Sequence, residues 1–374
     1  MSKFKYFPIN WVQGMSISPE HFVNTENFFM ERILRYNGLS LYPDHYGLLP
    51  MTDEKSSLVL RISGMETFGH VFLDSYSGFT PGGYLIQFSD SEEAVSCPFP
   101  DANSFVEEGW DIVLSVSPYE RVPSGNPDVH EEPPRYPYVM PSISLHLIPR
   151  NGKINTYDPF SVVVGLLRKN EAGYMIDGNF IPPSLFMASH QDLRHYMGSF
   201  TKTIGKIDSS VRKIVEKAQA QASRTSEAES VLLLSKEVLR SISSLNFDWI
   251  NRSYSLTPYQ VIQTLTSFAG SILTGLCFLG KKEREEVLKY FYEWNGIAPA
   301  TFEQQLAEVI HKPYNHNRIN HSMVMIKGIL DTLEELFGAI SRLEFVGQHK
   351  EGIVISERRI QDTSSTDDHW TLVD

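Results

Sequence analysis

The sequence predicts an α+β protein whose two kinds of structure are segregated along the chain: an N-terminal β-sandwich domain followed by an all-α, up-and-down helical bundle. Three observations predict it. Apolar residues alternate with a period of two from the start to about Ile176; from about His190 they recur at alternating fours and threes; and the paired prolines Pro182 and Pro183 stand where the period changes. With 374 residues the chain is too long for one ordinary core. The predicted boundaries are residues 1–180 for the sandwich, 181–346 for the bundle and 347–374 for a short tail, a possible strand followed by disorder.

In the first region MSKFKYFPINW alternates Lys3 and Lys5 with Phe4 and Tyr6 as a strand does, and lacks the pattern of a signal peptide. LVLRI, GYLIQF and SVVVGLL read as further strands. In IVLSVS the alternation turns Ile112, Leu114 and Val116 inward, and in ISLHLI it turns Ile143, Leu145 and Leu147 inward. Gly and Pro in TPGGY mark a turn. The Pro-rich stretch from Pro118 to Pro141 reads as one long exposed loop suited to touching a partner.

In the second region Leu193, Met197, Phe200, Ile204, Ile207, Val211, Ile214 and Ala218 form a heptad seam. A second seam, Ile319, Met323, Ile326, Leu330, Leu333, Phe337 and Ile340, is widened by Ile329, Leu336 and Leu343. Such spacing keeps one stripe on a neighbour at a shallow crossing angle, so two long helices in a near-parallel bundle are expected, with seams that also offer surface for self-association. Between them, Ser226 with Glu229 and Thr301 with Gln304 read as capping boxes, and Thr257 caps a helix opening on Pro258. That helix carries Val261, Leu265, Phe268, Ile272 and Leu276 on its apolar face, and Ser267, Ser271 and Gly275 as a small-residue row for close approach.

Bulk chemistry restricts function. A formal charge of −12 lacks the basic footprint that nucleic acid or an anionic membrane surface demands, so protein partners are expected. Cys97 and Cys277 are too few for a disulfide framework, which points to a reducing compartment. The longest apolar tract, VIQTLTSFAGSILTGLCFL, is interrupted by Gln263, Thr264, Thr266, Ser267, Ser271 and Thr274, so no direct membrane insertion is expected.

No phosphate cradle, nucleophile elbow or His-Glu-x-x-His pair is present, and no catalytic, cofactor or metal residue is assigned. In HKPYNHNRINH, His311, His316 and His321 recur every five residues; on a helix that step splays the rings, so the segment reads as a polar turn capping the last long helix. His190 reads as a helix start, His195 and His146 as surface residues. The pairs Glu92–Glu93, Glu107–Glu108 and Glu131–Glu132 read as solvated loops, and the five tryptophans as core or rim anchors.

Two segments carry a family resemblance. INWVQGMSISPEHF, with Trp11, Gly14, Met15, Ile17, Pro19, His21 and Phe22, is similar to the opening motif of TssK proteins, baseplate subunits of bacterial type VI secretion systems. FIPPSLFMASHQDL, with Ile181, Pro182, Pro183, Ser189 and Leu193, resembles that family's Ile-Pro-Pro junction into its first long helix. Physically, Gly14 and Pro19 bend the chain after the first strand, Met15, Ile17 and Phe22 fill apolar space, and Pro182–Pro183 enforces a stiff extended entry to the bundle.

The resemblance implies a non-enzymatic, cytoplasmic homotrimer at the inner membrane, without cofactor. Its β shell would engage baseplate wedge proteins, and its helical neck would lead to a membrane-complex protein met through the C-terminal end. The sequence departs from the family in having fewer than thirty residues after the last long helix, too few for a folded head, so EGIVISER is expected to dock as an edge strand on a different membrane-side partner. Two other readings stand beside it. One is a phage-tail-like receptor-binding or baseplate protein. The other is a β-sandwich hydrolase or metal-dependent enzyme using the His311 cluster.

Overall fold

The computed structural model describes residues 4–40, 44–50, 57–65, 68–89, 94–100, 106–150, 156–171 and 173–350. Its first regular element is a helix. Residues 4–18 run without regular structure, and Pro19–Ser40 forms the 22-residue α1 where a strand and a bend were expected. The alternation of Lys3 to Tyr6 spans too few residues to define a period, and α1 hid because its apolar residues lie on both of its sides.

Two antiparallel sheets follow. In the first, β3 (Phe68–Phe79) pairs with β1 (Gly47–Leu48), β2 (Leu58–Met65), β4 (Leu85–Phe88) and β5 (Val95–Pro98). The second has the order β7-β6-β8-β9, with β6 at Trp110–Ser124, β7 at Tyr138–Pro149, β8 at Ser161–Asn170 and β9 at Gly173–Ile176. Inward residues of both sheets, among them Val71, Leu73, Tyr76, Ile112, Leu114, Val116, Leu145 and Val164, make one core.

The Pro118–Pro141 stretch is a β-hairpin arm rather than a loop. A bulge takes Pro118, Tyr119 and Glu120 out of the ladder, and pairing resumes from Arg121↔Pro141 to Ser124↔Tyr138. Only residues 125–137 form the tip, across which Asp128 bridges Arg135. Its prolines are tolerated because β8 stops pairing with β6 at Ser115, so both strands of the arm are edges and a missing N–H interrupts nothing.

Six helices build the bundle: α2 (Gln191–Ala220), α3 (Ser226–Arg252), α4 (Pro258–Cys277), α5 (Lys281–Asn295), α6 (Pro299–His311) and α7 (Ile319–Arg342). His190 caps α2, its ring accepting from Asp192 N–H. Thr257 caps α4 and Gln260 returns a bond to the Thr257 N–H, a complete capping box. Two expected caps are displaced. Thr225, one residue before Ser226, accepts from Ala228 N–H at the start of α3, while α6 opens on Pro299 without a side-chain cap, leaving Thr301 inside its first turn.

Both seams lie inside the bundle. α2 and α7 pack side by side and run in the same direction: Tyr196 Oη meets Asn320 at 3.0 Å near their starts, Lys206 pairs with Glu334 midway, and Lys217 Nζ donates to Ser341 O at 2.9 Å near their ends. The seam residues from Leu193 to Ala218 and from Ile319 to Ile340 are buried within one chain. Their apolar area is consumed by folding, so the surface they were expected to offer to other copies is not there. On α4, Gly275 alone makes the close approach: a Cβ there would lie 2.8 Å from Leu234 Cδ2, whereas Ser267 and Ser271 bond back to their own helix at Gln263 and Phe268.

The two halves meet at the paired prolines. Leu48 N–H donates to Pro183 O at 2.8 Å and Leu185 N–H to Leu48 O at 3.0 Å, so the Pro182–Pro183 entry also lies beside β1 as a short parallel extension. Gly47 permits this. Its φ is +101°, and a Cβ would sit 2.0 Å from Pro183 O. Arg318 pairs with Glu108 across the same joint. The result is an α+β protein with two antiparallel sheets and a bundle clasped to them.

Candidate docking surface

α1 leaves a stripe of large apolar side chains exposed. Its inward side carries Asn27 and Glu31, each 8% exposed, beside Leu34, whereas its outward side carries Phe22, Phe29, Ile33, Tyr36 and Leu39, at 55% to 75% exposed. Polar anchors hold it this way. The Glu31 carboxylate accepts from Lys5 N–H at 3.1 Å, Tyr6 N–H at 2.9 Å and Arg35 at 2.9 Å, which ties the N-terminal arm to the helix. Burial alone would raise the Glu31 pKa, but the N–H groups of Tyr6 and Lys5, with Arg35, hold it below its ordinary value.

The hairpin arm supports the other side. Arg121 donates to Asn27 at 3.3 Å and pairs with Glu26 at 2.8 Å, and Tyr119, from the bulge, stacks on Tyr6 at 5.1 Å. Asn37 donates to Gly83 O at 2.9 Å, fastening the helix end to the turn before β4. The Arg32 and Arg35 guanidinium groups lie over the Phe4 ring at 3.6 and 4.0 Å from its centroid.

Ahead of α1, Gly14 takes φ +84° in a turn that Met15 N–H closes onto Val12 O at 3.2 Å. Pro19 begins the helix, and His21 accepts the Ser18 N–H on Nδ1 at 3.1 Å, the return half of a capping box. Trp11 lies over this start, 6.0 Å from the His21 ring and 6.2 Å from that of Phe22. Met15 is half-buried, but Ile17 and Phe22 are exposed rather than filling space within the chain.

Phe7, Trp11, Val12 and Ile17 ahead of α1 are exposed as well, Trp11 beside Phe22, and Val122, Tyr138, Val139 and Met140 are exposed on the hairpin arm. Single exposed apolar side chains are ordinary, but this many on fastened elements make the N-terminal arm, α1 and the hairpin arm the candidate docking surface. The 7-4-3 spacing of Phe22, Phe29, Ile33 and Tyr36 was the signal that could have revealed the helix.

The other singled-out residues lie apart from this face. Ile181, Pro182 and Pro183 are buried at the joint. The seam residues Leu193, Met197, Phe200, Ile204, Ile207 and Val211 are buried on α2, and Ile319, Met323, Ile326, Leu330, Leu333 and Phe337 on α7. His311 and His321 are exposed and His316 is buried, so the three rings do not converge, and no group of three metal-binding side chains occurs among the described residues. Instead of α7 itself, Asn315 caps the short 3-10 turn His316–Arg318 that leads into it. Glu92, Glu93, Trp370 and the EGIVISER strand fall outside the described residues. No helix among the described residues is long and apolar enough to cross a membrane.

No family model and no curated protein matches the sequence. Solved structures do. A crystal structure of TssK aligns at a TM-score of 0.51 and 16% identity, covering 87% of this chain and 68% of that one. A TssK of an EAEC type VI secretion system in complex with a nanobody aligns at 0.49 and 15%, covering 85% and 100%. A TssK-TssF-TssG baseplate subcomplex aligns at 0.43 and 14%, covering 88% and 100%. The first of these shows that the chain has a TssK-like fold.

Proposed function

We propose that this chain is a non-enzymatic structural subunit of a type VI secretion baseplate, acting in the cytoplasm as a trimeric adaptor at the inner membrane. Residues 1–180 form the shell that docks onto baseplate wedge proteins, residues 181–346 the neck, and residues 347–374 the tail that reaches a membrane-complex protein. The observation that carries the reading is the outward apolar face of α1 and the N-terminal arm on a TssK-like fold. That face coincides with the segment from Trp11 to Phe22 on which the sequence resemblance rests. The division at residue 180 has its support in two buried clusters, one from Tyr46 to Tyr174 and the other from Ile181 to Val346.

Because the bundle's seams are internal, the trimer must use other surface, and oligomeric state is a separate question from wedge docking. Light scattering across micromolar concentrations tests the first: a trimer is expected, and a persistent monomer contradicts it. Co-purification with the wedge proteins encoded alongside the chain tests the second, a stable complex being expected. A version ending at Val346 should keep the wedge proteins and lose the membrane-side partner.

A further inference from the structure

The joint between the halves contains a cleft of about 380 Å³ that the proposed function leaves unused. Arg150, at the end of β7, and Arg168, on β8, line it from the sheet side; Arg318, Asn320 and His321, at the start of α7, line it from the bundle side. Three guanidinium groups, an imidazole and the Asp177 carboxylate thus share one small cleft in a chain whose formal charge is −12. We infer that this cleft binds a small oxyanion of the phosphate or polycarboxylate class.

The donors are partly uncommitted. A guanidinium offers five N–H groups. Arg168 is bonded to Asp177 through Nε at 2.6 Å, and Arg318 to Glu108 through one Nη at 3.2 Å. Arg150 gives its Nε and one Nη to Asp111, both at 2.5 Å. These carboxylates balance the formal charge, so what selects a ligand is the remaining N–H fork of each arginine rather than net attraction.

Neighbouring groups register the positive field. Burial alone would raise the Asp177 pKa, yet Arg168, the Asn179 N–H and Arg150 hold it below its ordinary value. His321 is held below its ordinary value by burial and by Lys312 and Arg318. Phe180 and Val324 complete the lining. Because the donors come from both halves, a bound anion would lock the sheet side to α7.

The test is titration of the full chain with sodium phosphate and, separately, citrate at constant ionic strength, read by calorimetry and by melting temperature, with chloride as the blank. Saturable heat and a rising melting temperature with at least one anion are expected. Both responses should weaken at least tenfold in Arg168→Gln and in His321→Gln, whose side chains are exposed enough to change without disturbing the core, while the distant Lys236→Gln should bind as the parent does. No saturable binding of either anion would overturn the inference, as would equal binding by the parent and both cleft variants.

Discussion

His316 Nε2 lies 2.9 Å from the carbonyl oxygen of Tyr46, 270 positions away in sequence, and the same ring takes Tyr314 Oη on Nδ1 at 2.8 Å. His316 is buried, Tyr46 stacks edge-on against its ring at 4.7 Å, and Tyr46 Oη donates to Asn317 at 3.0 Å. One histidine thus links the sheet half to the bundle half.

This link predicts loss of stability in mild acid. Burial lowers the His316 pKa from 6.5 to about 4, so the unfolded chain takes up a proton that the folded chain refuses. The contribution of neutral His316 is complete above about pH 6.5 and declines as pH falls toward about 4, roughly 3 kcal/mol over the window at 1.36 kcal/mol per unit. Urea midpoints measured between pH 7.5 and 4.5 should fall, and the fall should shrink in His316→Phe. An unchanged profile in that variant would refute the assignment.

Gly47→Ala should cost more than Gly14→Ala. Both glycines hold positive φ, but a Cβ at Gly47 would strike Pro183 O at 2.0 Å, whereas nothing lies within 4 Å of one at Gly14. Strain alone costs about 1 kcal/mol, and strain with a backbone clash more than about 2 kcal/mol. Chemical denaturation of the two variants measures the difference.

Glu31→Ala should release the N-terminal arm. The carboxylate holds the amides of Lys5 and Tyr6, and hydrogen bonds to a charged group are worth about 1.5–3 kcal/mol. Hydrogen exchange at those two amides should accelerate by roughly 10- to 100-fold while the α2 and α7 amides keep their protection.

Period was the most legible feature of the sequence. The inward residues Ile112, Leu114 and Val116 and the seams from Leu193 and Ile319 read correctly because burial on one side imposes a repeat that many residues share. What escaped were elements whose surroundings override local signals. The arm beyond Ser117 looked like a loop because its prolines are excluded only from central strands, and edge status is a property of the assembled sheet. α1 escaped because its apolar residues lie on both of its sides, Leu34 buried beside Asn27 and Glu31 and Phe29, Ile33 and Tyr36 exposed. The Trp11–Phe22 segment was singled out for its pattern, but its outward exposure could not be read from the chain, nor could the pairing of Arg150 and Arg168 with Arg318 and His321 in one cleft.

Core and docking face should separate under mutation. Leu333→Ala, at a side chain with no exposed surface, should cost about 2–5 kcal/mol, whereas Phe29→Ser, at one 58% exposed, should stay within about 0.5 kcal/mol. Thermal melts of both variants check the contrast.

In the proposed function, a baseplate partner covers the outward face of α1. The most direct measurement is co-purification of the wedge proteins encoded with this chain by the parent and by Phe22→Ser/Phe29→Ser/Ile33→Ser, with circular dichroism confirming that both are folded. A stable complex is expected with the parent, and its loss in the folded triple variant. Retention of the wedge proteins by that variant at parental stoichiometry would contradict it.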